Sequence, residues 1–238
     1  MRIDGSAALV TGASRGLGAA LSRELARRGG RVVLVGRSID TLEPLVQEIC
    51  ASGGEAHAVV GNVADKSATH VIAGAAAALV GAVHLLVHNA STLGHVPLRP
   101  LLDTDCEELS RVLDVNLVGP FRLSKAIAGS MALRGRGMVV HITSDAAVEA
   151  YPEWGAYSVS KAAFDHLARI WAAELAPAGV RFLSVDPGEM DTQMHADAIP
   201  GADRATLGRP ADVARRVVSL IAGVPLGRGE RVVLGRAS

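Results

Sequence analysis

The sequence predicts one α/β domain, a doubly wound fold in which a parallel sheet carries helices on both faces. Short apolar runs rich in Val, Leu and Ile alternate with longer segments rich in Ala, Leu, Arg and Glu. These runs are apolar on both faces, which is typical of strands buried on both sides in a parallel sheet. The alternation continues from end to end without a linker, a repeat or a low-complexity segment. Residues 1–238 are therefore expected to form a single domain.

The predicted elements alternate in order, beginning with a strand. Seven apolar runs are predicted as the strands of one seven-stranded parallel sheet: Ala7–Thr11, Val32–Val35, Ala56–Val60, His84–Val87, Met138–Ile142, Arg181–Val185 and Arg231–Leu234. The predicted helices are Leu17–Arg28, Ile39–Ala51, Ala68–Leu79, Glu107–Ala132, Ala156–Ala176 and Ala211–Ala222. Paired glycines at 29–30 and 53–54 stand where helix C-termini favour glycine, so the first two helices are expected to end there.

The third helix and the fourth strand fall in a stretch without charged residues, from Ser67 to Leu98. Its most apolar part, Val71 to Val87, has enough residues to raise the alternative of a membrane span. The stretch is mostly Ala, however, and it contains two glycines and ends in histidines and an asparagine. A buried helix (Ser67 to Leu79) followed by a buried strand (Val83 to His88) explains this pattern better. No membrane partner is expected.

Charge and composition narrow the classes of partner further. The chain has 24 Lys and Arg against 24 Asp and Glu, and 3% of its residues are aromatic. Nucleic-acid-binding surfaces are usually basic, and RNA-stacking platforms are aromatic, so no nucleic-acid partner is expected. Cys50 and Cys106 form no CxxC pair, which predicts neither a disulfide framework nor a zinc site and favours a cytoplasmic location. His84 and His88 would lie about 13 Å apart along a strand, so no metal site is expected.

A glycine-rich loop follows the first predicted strand and leads directly into the first helix. It begins after Thr11 and has the spacing Gly-xxx-Gly-x-Gly, formed by Gly12, Gly16 and Gly18. Glycines there allow a tight turn, a close approach of a pyrophosphate and close packing of helix on sheet. The helix N-terminus would add amide donors and a favourable dipole for an anion. The loop therefore predicts dinucleotide binding on a Rossmann-type fold.

Three further residues stand at informative distances from one another. Tyr157 and Lys161 form a Tyr-xxx-Lys pair, and Ser144 lies 13 residues before Tyr157 at the end of a predicted strand. Together with the glycine spacing and Asn116, these motifs resemble the short-chain dehydrogenase/reductase family in its shorter form. The resemblance implies an oxidoreductase that interconverts a ketone or aldehyde and an alcohol by hydride transfer, with a nicotinamide cofactor.

The resemblance also implies a role for each of these residues. Tyr157 would be the acid/base, and Lys161 would lie on the same helical face and lower the pKa of its phenol. Ser144 would hydrogen-bond the substrate oxygen, and Asn116 would hold a water that links Lys161 to bulk solvent. The residues that the resemblance assigns to cofactor binding are Gly12, Ser14, Arg15, Gly16, Leu17, Gly18, Arg37, Asn62, Val63, Asn89, Ala90, Tyr157, Lys161, Pro187, Gly188, Met190 and Thr192.

Four positions depart from the family's pattern without removing a proton-transfer group. His88 and Ser91 flank the Asn89–Ala90 pair where Asn and Gly are usual, and Asn62 replaces the usual Asp near the adenine. Asp186 precedes Pro187 where Asn is common. We expect the chemistry to be retained, while the sequence leaves open how these departures act on cofactor affinity.

The end of the second predicted strand favours NADP(H) over NAD(H). An NAD-binding Rossmann unit places an acid there to hold the ribose 2′-hydroxyl. This chain has Gly36 followed by Arg37, and Arg15 lies inside the glycine loop. Two cations could bind a 2′-phosphate, whereas the alternative is that both are ordinary solvated surface arginines.

Three questions remain open at the level of sequence. The chain could be a non-catalytic NADP-binding sensor or regulator, or its substrate could be a pterin, since Asn89 to Gly94 is loosely similar to the loop of sepiapterin-type reductases. The small-molecule substrate is not readable, but the short segment from Gln193 to Leu207 predicts an open pocket. Its candidate lining residues are Trp154, Glu189, Met194 and His195.

Apolar residues on the two longest helices predict a homotetramer, with a dimer as the alternative.

Overall fold

A seven-stranded parallel sheet forms the centre of the structure. Residues 1–223 and 229–234 are described by the computed structural model. The strands are β1 (Ala7–Thr11), β2 (Arg31–Gly36), β3 (Glu55–Val60), β4 (Leu85–His88), β5 (Gly137–Ile142), β6 (Val180–Asp186) and β7 (Glu230–Val233). Their spatial order is β3-β2-β1-β4-β5-β6-β7. The prediction of one α/β domain built on seven parallel strands is confirmed.

Helices cover both faces of this sheet. They are α1 (Gly16–Arg27), α2 (Ile39–Ala51), α3 (Ala68–Val80), α4 (Cys106–Leu113), α5 (Gly119–Leu133), α6 (Gly155–Leu175), α7 (Gln193–Ala198) and α8 (Pro210–Gly223). Leu21 of α1 and Val217 of α8 are fully buried against one face, whose core includes Val10 of β1. Ile72 of α3 and Leu123 of α5 pack with Leu9 on the opposite face. Adjacent residues of β1 therefore enter separate cores, which is why its sequence is continuously apolar.

The uncharged stretch is divided as predicted, into α3 and β4. Among the described residues, no helix is both long and apolar enough to cross a membrane.

Two helical predictions differ from the structure. The continuous helix expected over Glu107–Ala132 is interrupted by a π-helical turn, Asp114–Val118, which separates α4 from α5. A π turn inserts one residue into the helical repeat and so rotates the following face, a common feature of functional sites. Helix α7 was not predicted, because its six residues are too few to show a helical period.

The order of the strands determines where a ligand can bind. Strand β1 lies between β2 and β4, so the chain winds in one direction from β1 to β3 and in the other from β4 to β7. Loops leaving the carboxyl ends of β1 and β4 diverge at this switch point and leave a crevice between them. The glycine loop and the Asn89–Ala90 segment form the two sides of that crevice.

Candidate active site

The glycine loop is fitted closely to the segment after β4. Gly12 has a φ of 65°, and a Cβ on it would lie 2.7 Å from the Ala90 Cα, so no larger residue fits. A Cβ on Gly18 would overlap the Gly12 carbonyl oxygen. The Asn89 amide donates to the carbonyls of Thr11 and Gly12 at 3.0 Å each. The loop thus leaves the N-terminus of α1 accessible. Its shape and polarity fit the pyrophosphate of a dinucleotide.

A cavity of about 1310 Å³ extends from this loop across the carboxyl ends of β1, β4, β5 and β6. It is large enough for a dinucleotide and a small substrate together. Of the predicted site residues it is lined by Gly12, Ser14, Arg15, Gly16, Leu17, Arg37, Asn62, Val63, Asn89, Ala90, Ser144, Tyr157, Lys161, Pro187, Gly188, Met190 and Thr192. The four predicted substrate-pocket residues, Trp154, Glu189, Met194 and His195, line it as well. Gly18 and Asn116 are not among the residues that line it.

Tyr157 and Lys161 share one face of α6, as their spacing predicts. The Lys161 Nζ lies 5.4 Å from the centre of the Tyr157 ring and donates a 2.7 Å hydrogen bond to the Ile142 carbonyl. Burial raises the pKa of Tyr157 to about 12, while the hydrogen-bonding contact with Ser144 acts to lower it. Burial also lowers the pKa of Lys161 to about 8, against the opposing effect of the Asp165 carboxylate.

Ser144 follows β5 and borders the cavity beside Tyr157. Its hydroxyl donates to Asp145 Oδ1 at 2.8 Å, and the Tyr151 hydroxyl donates to the other oxygen of that carboxylate at 3.0 Å. Asp145 was not identified from the sequence, although its position directly after Ser144 could have suggested it. The Trp154 ring lies edge-on to the rings of Tyr151 and Tyr157, at 6.3 and 5.8 Å between centroids. This side of the cavity is therefore aromatic, with one carboxylate next to the serine.

The side-chain amide of Asn116 is fully engaged in hydrogen bonds to its neighbours. Its Oδ1 accepts from Ser91 Oγ and Thr92 N at 3.1 and 2.8 Å. Its Nδ2 donates to the Thr92 carbonyl and Ser160 Oγ at 2.9 Å each. These four bonds use the full capacity of the amide. Pro120, four positions after Asn116, has no amide hydrogen to donate to the main-chain carbonyl of Asn116.

Two arginines border the cavity at the end of the glycine loop. Arg15 and Arg37 are both exposed, and neither forms an ion pair within residues 1–223 and 229–234. Arg23 also lines this end of the cavity, but its guanidinium donates twice to the Glu48 carboxylate at 2.7 Å. Gly36 ends β2 here without a carboxylate, and a Cβ on it would lie 3.0 Å from Leu42. Two cations are therefore free to meet an anion at this end.

The buried histidines of β4 and β5, His88 and His141, pack inside the protein. Burial lowers the pKa values of His88 and His141 to about 3, so both rings are neutral near neutral pH. His88 Nε2 lies 2.8 Å from Ser124 Oγ, and both rings meet Phe164 edge-on. Within the described residues, no group of three or more His, Cys, Asp or Glu side chains has a metal-binding arrangement.

A group of charged side chains, of which the two carboxylates are buried, lies near Lys161. Arg231 of β7 contacts two carboxylates, Asp186 at the end of β6 and Asp165 on α6. Sequence reasoning missed this group, because Arg231 is 87 positions from Ser144, whose carbonyl its guanidinium contacts. Asp165 stands four positions after Lys161, on the same face of α6, which is the one sequence signal for it.

Comparison with known proteins shows the family of the chain. A family model described as short chain dehydrogenase matches residues 6–202. Over 192 residues the chain is 34% identical to glycine betaine reductase ATRR of Emericella nidulans, which matches 81% of the chain and only 15% of that longer protein. A 7 alpha-hydroxysteroid dehydrogenase complexed with NADH has a TM-score of 0.89 at 28% identity, covering 98% of this chain and 94% of that one.

An alcohol dehydrogenase from the archaeon Thermococcus sibiricus, complexed with 5-hydroxy-NADP, has a TM-score of 0.86 at 31% identity. The match covers 96% of this chain and 95% of that chain. The fold, the cavity and the family match agree, and the chain belongs to the short-chain dehydrogenase/reductase family of oxidoreductases.

Proposed function

We propose that the protein is an NADP(H)-dependent oxidoreductase that interconverts a ketone or aldehyde and an alcohol, with Tyr157 as the acid/base. The observation that carries this proposal is the placement of Tyr157, Ser144 and Lys161 together on the wall of one cavity. The same cavity extends to the glycine loop, so a substrate and a dinucleotide can meet inside it. A sensor without catalysis would not need a buried phenol beside a buried ammonium.

In the reductive direction each residue has a defined task. A nicotinamide held in the cavity would supply the hydride to the carbonyl carbon. The Ser144 hydroxyl orients the carbonyl oxygen, and the Tyr157 hydroxyl gives that oxygen its proton. Lys161 stabilises the resulting tyrosinate and passes a proton back towards it. The main-chain carbonyl of Asn116, whose side chain is fully bonded, is the group that would hold the water connecting Lys161 to solvent.

To act as an acid/base near neutral pH, Tyr157 needs a pKa below the value of about 12 that its burial produces. Lowering its pKa by three units from about 12 needs roughly 4 kcal/mol of differential stabilisation. One unit charge at about 4 Å supplies roughly that much at an effective dielectric of about 20. The Lys161 ammonium and the positively charged oxidised nicotinamide are the two charges that would act on it.

The preference for NADP(H) is supported by Arg15 and Arg37. Both guanidiniums line the cavity at the end of β2, where an NAD-binding unit carries an acid. Charge-assisted contacts to a 2′-phosphate are worth about 1.5–3 kcal/mol each, less where solvent screens them. The related structures include one complex with NADH and one with an NADP derivative, so the preference rests on these two residues.

The test is a screen for loss of NADPH with ketones, aldehydes, quinones and pterins, repeated with NADH. Turnover of ketones or aldehydes with NADPH is expected. Turnover confined to pterins would favour a pteridine reductase instead. Tight NADPH binding without turnover of any compound would favour a sensor or regulator and would contradict the proposal.

We also propose that the protein is a homotetramer, with a dimer as the alternative. An apolar surface lies between the π turn, α5 and α6, and it is lined by Leu117, Val118, Phe121, Ala163, His166, Leu167 and Ile170. Phe121 and Ile170 are 38% and 44% exposed there. Self-association through a two-fold interface would bury them. Light scattering at micromolar concentration that gives the monomer mass of 24.5 kDa would contradict this proposal.

A further inference from the structure

One guanidinium connects three segments of the active site. The Nη2 of Arg231 donates to the Ser144 carbonyl at 2.9 Å and to Asp186 Oδ2 at 2.7 Å. Its Nε lies 3.3 Å from Asp165 Oδ2. Ser144 borders the substrate, Asp186 leads into Pro187 and Gly188 on the cavity wall, and Asp165 lies one turn after Lys161. Arg231 itself does not line the cavity.

We propose that Arg231 is a positioning residue of the active site. It fixes the peptide of Ser144 and neutralises the carboxylates of Asp165 and Asp186. The inference rests on the proposed function, because its meaning depends on Ser144 and Tyr157 carrying the chemistry.

The charges around Arg231 explain why it is needed. Asp165 and Asp186 are both buried, with 6% and 3% of their surface exposed. His141, 3.3 Å from Asp165, is neutral because burial lowers its pKa to about 3. Lys161 is the other cation near Asp165. A buried carboxylate without a partner is costly, so two of them need the second positive charge that Arg231 provides.

Asp186 links this group to the phenol of Tyr157. The negative charges of Asp145 and Asp186 both act to raise the Tyr157 pKa, in addition to burial. Arg231 contacts Asp186 directly, so its charge offsets that of Asp186 at Tyr157. A neutral Asn at position 186 would need no cation. Asp186 and Arg231 therefore form a matched pair whose charges should be removable together.

The electrostatic half of the proposal can be tested without a substrate. Tyr151 is the only other tyrosine in the chain, so Tyr151→Phe leaves Tyr157 as a single NMR probe. In that background, the ionised fraction of ring-labelled Tyr157 is measured at one fixed alkaline pH with saturating NADP⁺. Arg231→Met is expected to decrease this fraction, Asp186→Asn to increase it, and the double variant to return close to the background. Shifts of about half a pH unit or more are expected for each single variant.

The positioning half is tested by turnover. Arg231→Met is expected to lower kcat about 10- to 100-fold, because a misplaced Ser144 loses its alignment, while Kd for NADPH changes little. Arg231→Lys keeps the positive charge but loses the planar guanidinium that contacts several groups at once. It should leave the ionisation of Tyr157 unchanged and still lower kcat. The double variant Asp186→Asn/Arg231→Met should recover the ionisation but only part of kcat, since the Ser144 contact stays lost.

The proposal is overturned if neither single variant moves the ionisation of Tyr157, or if both single variants move it in the same direction. It is also overturned if Arg231→Met keeps the parent kcat. A failure of the proposed function would look different, because the parent protein itself would then turn over none of the carbonyl compounds. The Tyr157 titration would still decide the electrostatic half in that case.

Discussion

At the glycine-loop end of the cavity, Arg15 and Arg37 are exposed and form no ion pair within the described residues. At the β5–β6 end Asp145 is exposed as well, but most of the charged groups are buried and contact one another. Lys161, Asp165 and Asp186 are each at most 6% exposed, and Arg231 bridges the two carboxylates. Exposed cations can select a ligand by meeting its charge. Buried charged groups instead change the pKa of a neighbouring group, here the phenol of Tyr157, because solvent screens their interactions little.

This contrast implies that substitutions at the two ends should have different consequences. At the β5–β6 end, which we call the buried end, a substitution should change turnover, the pKa of Tyr157 and protein stability together. The glycine-loop end is called the exposed end. At the exposed end, a substitution should change the choice of cofactor with little effect on folding, because solvated side chains contribute little to stability.

The largest effect is expected at the buried end, from Tyr157→Phe. The substitution removes the proton donor and little volume, so kcat should fall about 10²- to 10⁴-fold with Kd for NADPH nearly unchanged. Steady-state turnover and fluorescence titration with NADPH measure the two quantities. Tyr151→Phe is the matched control, and its loss should be less than about tenfold. Near-normal turnover by Tyr157→Phe would refute the assigned acid/base.

At the exposed end, Arg15→Ala with Arg37→Ile should remove most of the preference for NADPH. We expect the parent to favour NADPH over NADH by roughly 30- to 1000-fold in kcat/KM, at about 1.4 kcal/mol per tenfold. The double variant should approach equal use of both cofactors, with an unchanged unfolding midpoint. Arg23→Ala with Glu48→Ala is the control, because it removes a cation of the same cavity that is already paired. A parent that uses NADH equally well would contradict the assignment of both arginines.

Reversal of the preference requires a carboxylate at the end of β2. Gly36→Asp with Arg37→Ile supplies one and removes a cation, so NADH should become the better cofactor. The structure adds a cost to this design, since the new Cβ would lie 3.0 Å from the buried Leu42 side chain. Leu42 must shift by a few tenths of an ångström, and we expect a lower melting temperature together with the reversed kcat/KM ratio.

The sequence predicted best those features that depend on residues close together in the chain. Leu9 and Val10 are apolar because both faces of β1 are buried, and that signal alone predicts a parallel sheet. The Tyr157–Lys161 spacing predicts a shared helical face for the same local reason. The π turn at Asp114–Val118 was missed, since one inserted residue barely disturbs an apolar pattern. Arg231 was missed because an edge strand brings it to Ser144 from a distant part of the chain.

The smallest effect is a gain, and it is expected from Lys161→Met at the buried end. Burial lowers the pKa of Lys161 from 10.5 to about 8, so holding the ammonium charged costs the fold roughly 3 kcal/mol near pH 7. Loss of the hydrogen bond to the Ile142 carbonyl offsets about 1 kcal/mol of this. We therefore expect the variant to be about 2 kcal/mol more stable in urea without cofactor, and to have lost its turnover.

The pH dependence distinguishes this cause from better packing. Between about pH 8 and 10.5 the unfolded chain binds more protons than the folded one at Lys161, so the stability of the parent rises with pH in that window. The advantage of Lys161→Met should be constant below about pH 8 and shrink as the pH approaches 10.5. Lys125→Met, at an exposed position on α5, should stay within about 0.5 kcal/mol of the parent throughout. A stability gain of Lys161→Met that is the same at every pH would show that the gain comes from better packing and not from removal of a buried charge. It would then contradict the contrast drawn between the two ends of the cavity.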